Sequence, residues 1–270
     1  MLEKIKATAN FIKERIKANP EFGIILGTGL GGLVNEIEII ESIPYSEIPN
    51  FPVSTVEGHS GHLIYGKLGN KKVLAMQGRF HYYEGYSMKE VTFPVRVFKH
   101  MGLTHLFVSN ASGGMNPDFK VGDIVVISDH INFFPEHPLR GKNLHELGPR
   151  FPDMSKTYNE HLRNKAKQIA LEHGINLKEG VYVGVSGPTF ETPAEYKMFR
   201  IFGADMVGMS TVPEVIVARH MEMNVFGISI ITDSGVPCEI VEVSHEQVQE
   251  VATKAEPNMT LIMKKLIESV

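Results

Sequence analysis

Basic side chains recur at alternate positions in the stretch "QGRFHYYEGY", where Arg79 and His81 are followed by Tyr83. Alternate residues of an extended chain point to the same side, so this spacing presents a guanidinium, an imidazole and a phenol together. A guanidinium that bonds in bidentate fashion and an imidazole that donates suit a phosphate dianion. A solvated strand end is the competing interpretation of the same residues.

A glycine-rich turn, "GTGLGG" at 27–32, follows the apolar run "FGIIL" and matches the G-x-G-x-x-G spacing. Glycines after a strand let backbone N–H groups approach a phosphate, and Thr28 adds a hydroxyl donor. A dinucleotide site also needs a following helix and an acidic residue roughly 20 positions on. Because Glu47 lies near that distance but in a proline-flanked polar loop, we favour an anion site. A glycine turn without a ligand is the alternative.

Three further segments carry groups that could bind a ligand. "GPTFETP" places Phe190 beside Glu191, which gives either a face and a carboxylate for a flat ring or a core aromatic at a helix start. Ser210, in "GMSTVPE", is either a helix cap or a donor to an anion. "ASGGMNP", at 111–117, predicts a second glycine turn whose N–H groups could reach the same anion.

Other chemistries find little support in the sequence. His59 and His62 in "VEGHSGH" have no cysteine or carboxylate at ligand spacing, so we expect no metal site. The sequence contains no G-x-S-x-G elbow, which argues against a serine hydrolase. The net charge of −4 and the pI near 6.3 argue against nucleic acid or an anionic membrane as partner.

The cysteine content and the amino-terminal segment indicate the compartment. A single cysteine, Cys238, excludes an internal disulfide and fits a reducing environment. The first 20 residues form an amphipathic helical pattern, with Leu2, Ile5, Ala9, Ile12 and Ile16 on one face, and not a signal peptide. No run approaches the roughly 18 apolar residues of a membrane span, so we expect a cytoplasmic protein.

Continuous apolar runs predict strands that are covered on both faces of a sheet. They are "FGIIL" (22–26), "KVLAMQ" (72–77), "HLFVSN" (105–110), "DIVVIS" (123–128), "VYVGVS" (181–186) and "VFGISIIT" (225–232). Helical segments between several of them predict one α/β domain over 1–270, with a mixed, mainly parallel twisted sheet flanked by helices. Ligands in such folds collect where strands end, and the polar segments above follow these runs.

Capping signals mark the expected helices. Ser87 with Glu90 forms a capping box for a helix that Gly102 ends, and Pro94 inside it should bend the helix. Thr192 precedes Pro193 at the start of a second helix, which ends at Gly203. A third helix begins near Pro213, and a last one near Ser244, whose capping box is completed by Gln247.

Six segments together resemble the purine nucleoside phosphorylases of the trimeric class. They are "TVEGHSGHLIYG", "MQGRFHYYEGY", "VTFPVRVF", "SNASGGMNPDFKVGDIVVISDHIN", "GPTFETPAE" and "GADMVGMSTVPEVIVARH". The resemblance implies reversible phosphorolysis of purine ribonucleosides and deoxyribonucleosides in purine salvage. The products would be the free base and (deoxy)ribose 1-phosphate. It also implies a homotrimer with orthophosphate as cosubstrate and without a metal or organic cofactor.

The same resemblance implies a role for each site residue. Phosphate would be held by Thr28, His59, Arg79, His81, Ser210 and the backbone N–H of Ala111. The sugar would lie against Tyr83, Met209 and His245, and the base against Phe190, Glu191, Val207 and Asp233. The catalytic groups would be Glu191, Asp233 and His81. Phe133 or Phe134 would complete the site of a neighbouring subunit.

Asp233 departs from the pattern of the relatives that cleave 6-oxopurine nucleosides, which carry asparagine there. An ionised aspartate repels O6 and accepts from a 6-amino group, whereas a protonated aspartate can donate to N7. We therefore expect inosine and guanosine as substrates, with adenosine tolerated. The alternatives are a 5′-methylthioadenosine phosphorylase, a non-catalytic nucleoside-binding protein on the same fold and, third, a dinucleotide oxidoreductase.

Overall fold

A computed structural model describes residues 1–28, 30–53 and 60–270. His59, which the family resemblance assigns to the phosphate site, lies outside the described residues.

The described residues form a mixed sheet of nine strands. The strand bounds are β1 Phe22–Leu26, β2 Glu38–Pro44, β3 His62–Leu68, β4 Lys71–Gln77, β5 His105–Gly114, β6 Ile124–Asn132, β7 Leu177–Gly184, β8 Met206–Gly208 and β9 Asn224–Ser234. Their order in the sheet is β2-β3-β4-β1-β5-β8-β7-β6-β9. β5 also pairs with β9, so the five strands β5 to β9 close into a ring.

Helices cover both faces of the sheet. Their bounds are α1 Leu2–Ile16, α2 Met88–Val91, α3 Phe93–Met101, α4 Glu160–Glu172, α5 Pro193–Ile201, α6 Val212–His220 and α7 His245–Glu268. α1 packs on α3 and α3 on α6 over one apolar core, while α4 packs on α7 over a second. In the described part of the chain, no helix combines the length and the apolar character that a membrane crossing requires.

The predicted sheet is confirmed, with two corrections to strand ends near the site. β1 has the predicted bounds, and β6, β7 and β9 overlap the predicted runs. "ASGG" is not a turn, because β5 continues through Gly114 alongside β9. Asp233 likewise lies inside β9 and not after it. The glycines serve close packing instead, since a Cβ on Gly113 would lie 2.8 Å from Asp233 Oδ2.

The capping predictions are confirmed at Ser87, Thr192 and Ser244, each of which accepts a hydrogen bond from the N–H three residues on. The helix that begins after Ser87 is interrupted at Thr92, so that α2 and α3 are separate helices. Pro94 explains the interruption, because it lacks an N–H and its ring excludes the carbonyl of residue 90 from helical geometry.

Four elements were not predicted. β2 is mostly exposed and contains two glutamates and a serine, and β3 carries Gly66 and Lys67, so neither has the continuous apolar pattern. β8 has only three residues. α4 has a narrow apolar stripe, made of Leu162, Ala166, Ile169 and Ala170. All four depend on tertiary pairing or packing more than on local sequence.

Truncating a core side chain of β5 should destabilise the fold strongly. Leu106 has no exposed surface, whereas Leu171 on α4 is 81% exposed. We expect Leu106→Ala to lower the free energy of unfolding by about 2–5 kcal/mol, because it leaves a cavity. Leu171→Ala should change it by less than about 0.5 kcal/mol. Urea unfolding followed by circular dichroism measures both, and equal losses would contradict the assignment of β5 to the core.

Candidate active site

A cavity of about 110 Å³, partly open to solvent, lies where β1, β5, β8 and β9 meet the starts of α6 and α7. Twelve residues that the sequence singles out line it: Thr28, Arg79, His81, Tyr83, Ala111, Phe190, Glu191, Val207, Met209, Ser210, Asp233 and His245. The tertiary structure thus brings the two glycine-containing segments, represented by Thr28 and Ala111, to one site together with the starts of α6 and α7.

Arg79 lies at one end of this cavity and is held by a buried carboxylate. Its Nε and Nη2 donate to the two oxygens of Glu214 at 3.2 and 2.9 Å, and its Nη1 donates to the Ser109 carbonyl at 2.6 Å. Both partners of the ion pair are almost fully buried. Glu214 therefore occupies the bidentate face of this guanidinium and fixes the Arg79 side chain at the cavity wall.

The chain does not stay extended from Arg79 to Tyr83, which corrects the alternating-strand interpretation of Arg79, His81 and Tyr83. β4 ends at Gln77, and a short 3₁₀ helix spans Tyr82–Glu84. The three side chains still line one cavity because the chain turns there and Tyr83 stacks on the His81 ring, with centroids 4.7 Å apart.

Glu84 holds the His81 ring. His81 Nδ1 lies 3.1 Å from a Glu84 oxygen that also accepts the His81 backbone N–H at 2.7 Å. Burial lowers the pKa of His81 below its usual 6.5, with the Arg79 charge adding to the shift and the Glu84 bond opposing it. His81 is therefore largely neutral near pH 7 when no anion is present.

Ser210 is presented by a strained turn in front of α6. Thr211 has φ of +69° and ψ of −55°, which a β-branched residue adopts rarely. The Val212 N–H donates to the Ser210 carbonyl at 2.7 Å and closes a γ-turn. The turn aims the positive dipole end of α6 at the same region as Arg79.

Asn110 on β5 stabilises that turn. Its amide donates to Thr211 Oγ1 at 2.9 Å, and its carbonyl oxygen accepts from Ser229 at 2.6 Å. Ser229 and Ser112 share a further hydrogen bond of 2.6 Å. A buried polar network therefore links two central strands to the start of α6 and limits the movement of Ser210.

The other end of the cavity holds two carboxylates. Phe190, Glu191 and Val207 line it together with Asp233. Asp233 accepts from the Tyr196 hydroxyl at Oδ2, at 2.8 Å, and from Thr232 at Oδ1, at 3.0 Å. Burial raises the pKa of Asp233 above its usual 3.8, although both hydrogen bonds oppose the shift.

Burial raises the pKa of Glu191 to about 7, and the negative charge of Asp233 adds to the effect. The nearby Tyr196 hydroxyl acts in the opposite direction. Two carboxyl groups with raised pKa values on an aromatic-lined cavity form a site that can both accept and donate hydrogen bonds at neutral pH.

The two candidate aromatics for a neighbouring subunit lie outside the residues that line this cavity. Phe133 is 46% exposed and packs edge-on against Phe199, at a centroid distance of 5.2 Å. Phe134 packs against Tyr82, at 6.2 Å. Their assignment to a neighbouring site stays a prediction.

The sequence interpretation missed the residues that support the site. Glu214, Glu84, Asn110, Thr232 and Tyr196 were not singled out. Glu84 lies three residues after His81, the spacing of a capping box, and that signal was available. Thr232 is the sequence neighbour of Asp233, whereas Glu214, Asn110 and Tyr196 contact residues on distant segments, so only the fold reveals those contacts.

The chain is similar to known proteins in both sequence and fold. A sequence profile described as the phosphorylase superfamily matches residues 21–268. The chain is 51% identical to purine nucleoside phosphorylase 1 of Geobacillus stearothermophilus, over 98% of this chain and 97% of that protein. The crystal structure of Schistosoma mansoni purine nucleoside phosphorylase with adenosine superposes with a TM-score of 0.94, at 43% identity, over 99% and 97% of the two chains. Its complex with inosine gives 0.93, at 42% identity, over 99% and 96%.

Neutralising Glu191 should stabilise the protein at alkaline pH. With a pKa of about 7 against 4.5 in the unfolded chain, Glu191 keeps its proton in the folded state while the unfolded state releases it. Stability therefore falls as the pH rises from 4.5 to about 7, and the loss persists above that. We expect Glu191→Gln to equal the wild type at pH 4.5 and to exceed it by about 2–3 kcal/mol at pH 8.

Thermal unfolding at both pH values measures this difference. Glu14→Gln, on the exposed side of α1, shows the effect of removing one surface carboxylate. A Glu191→Gln variant that is less stable than the wild type at pH 8 would mean that the folded protein favours the ionised carboxylate.

Proposed function

The chain belongs to the phosphorylase superfamily, among its purine nucleoside phosphorylases, and we propose that it catalyses the reversible phosphorolysis of purine ribonucleosides and deoxyribonucleosides. The products are the free base and (deoxy)ribose 1-phosphate. The observation that carries this proposal is one cavity with donors for an anion at one end and an aromatic-lined carboxylate pair at the other. The adenosine and inosine complexes of the Schistosoma mansoni enzyme support it.

Orthophosphate binds at the Arg79 end in this proposal. The donors are the hydroxyls of Thr28 and Ser210, the side chains of Arg79 and His81 and the backbone N–H of Ala111, joined by His59. Because Glu214 compensates the charge of Arg79, attraction for the anion depends also on the start of α6 and on the neutral donors. The match of "GTGLGG" to a dinucleotide pattern is then coincidental. A 3₁₀ helix, Gly31–Glu36, follows this turn where a dinucleotide site needs an α-helix.

Cleavage of the N-glycosidic bond leaves positive charge on C1′ and negative charge on the departing purine. A phosphate oxygen offsets the first charge and then forms the new bond to C1′, while the electrons of the broken bond pass to the base. Glu191 and Asp233 stabilise the base by hydrogen bonding or by protonating N7, and His81 positions the phosphate. Catalysis depends on placement and electrostatics and needs no covalent enzyme intermediate.

The purine ring stacks on Phe190 beside Val207, and the sugar lies against Tyr83 and Met209. His245, at the start of α7, bonds the 5′-hydroxyl, and its Nε2 lies 3.0 Å from the Gln249 amide nitrogen. A 5′-methylthio group would offer this imidazole no comparable partner. This arrangement favours nucleosides with a free 5′-hydroxyl over 5′-methylthioadenosine.

We extend the proposal to the assembly and its setting. The enzyme works as a homotrimer in the cytoplasm, in purine salvage, with Phe133 or Phe134 completing the sugar site of a neighbouring subunit. It needs no metal or organic cofactor, because phosphate supplies the nucleophile and the carboxylates supply the protons.

The pure protein should release hypoxanthine from inosine only when phosphate is present, because phosphate is the nucleophile. Xanthine oxidase converts the released base into a measurable product, with inosine, guanosine, adenosine and 5′-methylthioadenosine compared by kcat/KM. Inosine and guanosine should be good substrates, with adenosine slower. Exclusive use of 5′-methylthioadenosine would overturn the substrate assignment, and no release from any riboside in excess phosphate would overturn the function.

The two ends of the cavity should respond differently to substitution. Arg79→Gln combined with Glu214→Gln removes both buried charges and should raise KM for phosphate on the order of 10–100-fold, because a charged donor is lost. Asp233→Ala should instead lower kcat on the order of 100-fold, because the departing base loses a partner in the transition state. Steady-state kinetics with varied phosphate separates the two effects.

A matched control is the exposed pair of Arg15 and Glu41, whose nitrogen and oxygen lie 2.7 Å apart. Arg15→Gln with Glu41→Gln should leave both constants unchanged. If the Arg79 and Glu214 double variant keeps the wild-type KM for phosphate, phosphate does not bind at the Arg79 end of the cavity.

A further inference from the structure

Tyr196 lies between the two carboxylates of the base site. It is buried on α5, and its hydroxyl donates to Asp233 Oδ2 at 2.8 Å. The Glu191 carboxylate lies near this hydroxyl as well, and each group shifts the pKa of the other. Two glycines make room for the ring: a Cβ would lie 2.9 Å from the Tyr196 hydroxyl at Gly113 and 2.2 Å from Tyr196 Cδ1 at Gly235.

A phenol has one proton and can donate fully to only one carboxylate. The geometry shows it donating to Asp233, whose other oxygen accepts from Thr232. Two donors on one carboxylate favour its ionised form. Two nearby carboxylates in a buried site resist double ionisation, so a single proton on the pair is then best placed on Glu191.

The position of that proton decides which purine fits. A neutral Glu191 can donate to N1 of a 6-aminopurine, while an ionised Asp233 accepts from its 6-amino group. A 6-oxopurine has the opposite pattern, with a donor at N1 and an acceptor at O6. It fits when the proton has moved from Glu191 to Asp233.

We propose that Tyr196 is a specificity-determining positioning residue: its hydroxyl keeps Asp233 ionised, leaves the shared proton on Glu191, and thereby admits 6-aminopurine nucleosides alongside 6-oxopurine nucleosides. The inference rests on the proposed function and refines its substrate class. Tyr196 acts through Asp233, whose second carboxylate oxygen accepts a hydrogen bond from Thr232.

The surrounding charges are consistent with one shared proton. Burial raises the pKa of both carboxyl groups, and that of Glu191 reaches about 7. Glu195 on α5 adds negative charge near Glu191, but its carboxylate is held by Thr192 at the helix start. The other titratable or charged groups that line the described part of the cavity are His245, Arg79, His81 and Tyr83.

The test compares the ratio of kcat/KM for adenosine to that for inosine in the wild type and in Tyr196→Phe. Losing the donor to Asp233 should move the proton from Glu191 to Asp233, so the ratio should fall about tenfold, which corresponds to one pKa unit. Thr232→Val removes the other donor to Asp233 and should shift the ratio in the same direction. If Tyr196→Phe does not fold, the ratio measured for Thr232→Val tests the proposal.

Two controls separate this role from simple support of the fold. Tyr158→Phe removes another buried hydroxyl, which lies 3.1 Å from His130 Nδ1 and away from the residues that line the cavity. It should leave the ratio unchanged. In an Asp233→Asn background, where no charge is left to stabilise, adding Tyr196→Phe should not change the ratio further.

Calorimetric titration with adenine and hypoxanthine gives a readout independent of catalysis. Tyr196→Phe should weaken adenine binding relative to hypoxanthine by a similar factor. An equal loss of kcat/KM for adenosine and inosine, which leaves their ratio unchanged, would show a purely structural role and overturn the inference. A wild type that uses inosine and neither binds adenine nor cleaves adenosine would also overturn it, while the proposed function would stand. A wild type that binds neither base would overturn both.

Discussion

The buried ion pair between Arg79 and Glu214 is the constraint on which the anion end of the site depends. It joins the chain after β4 to the first turn of α6, and its third bond, to the Ser109 carbonyl, ties both to β5. A buried guanidinium without a carboxylate would be costly, so the pair has to form if the segments are to pack at all. Gly27 follows from this arrangement, because a Cβ there would lie 2.8 Å from the Ser109 carbonyl oxygen and 3.2 Å from Arg79 Nη1.

The closed ring of β5 to β9 has a similar effect at the base end. Asp233 is opposite Gly113 in the parallel pairing of β5 with β9, and β8 pairs with the same end of β5. The ring therefore places a carboxylate of β9 and the Val207 side chain of β8 at one edge, where α5 brings Tyr196 and the segment before α5 brings Glu191. Stability and function oppose each other here, since the burial that raises the pKa of both carboxyl groups costs folding free energy above neutral pH.

At the start of α6, a strained backbone is stabilised by hydrogen bonds. The positive φ of Thr211 is unfavourable on its own, yet the bond from Asn110 and the γ-turn hold it in place. The same turn sets the direction of α6 and the position of Ser210. A rigidly held Arg79 end therefore lies beside two carboxyl groups whose pKa values are raised by burial.

The sequence by itself determined the α/β class, the runs that become the buried strands and the capped helix starts, because apolar periodicity and capping are local properties. It also singled out Arg79, His81, Phe190, Glu191 and Ser210 as residue types suited to an anion and a flat ring, and the ordered motifs indicated the family. Only the tertiary structure decided that "ASGG" extends a strand and that Glu214 holds Arg79. It also decided that Tyr196 lies between Glu191 and Asp233. The contacts of Tyr196 with Asp233 and of Glu214 with Arg79 join residues 37 and 135 positions apart, and the length of β5 depends on strand pairing, so no local pattern encodes these features.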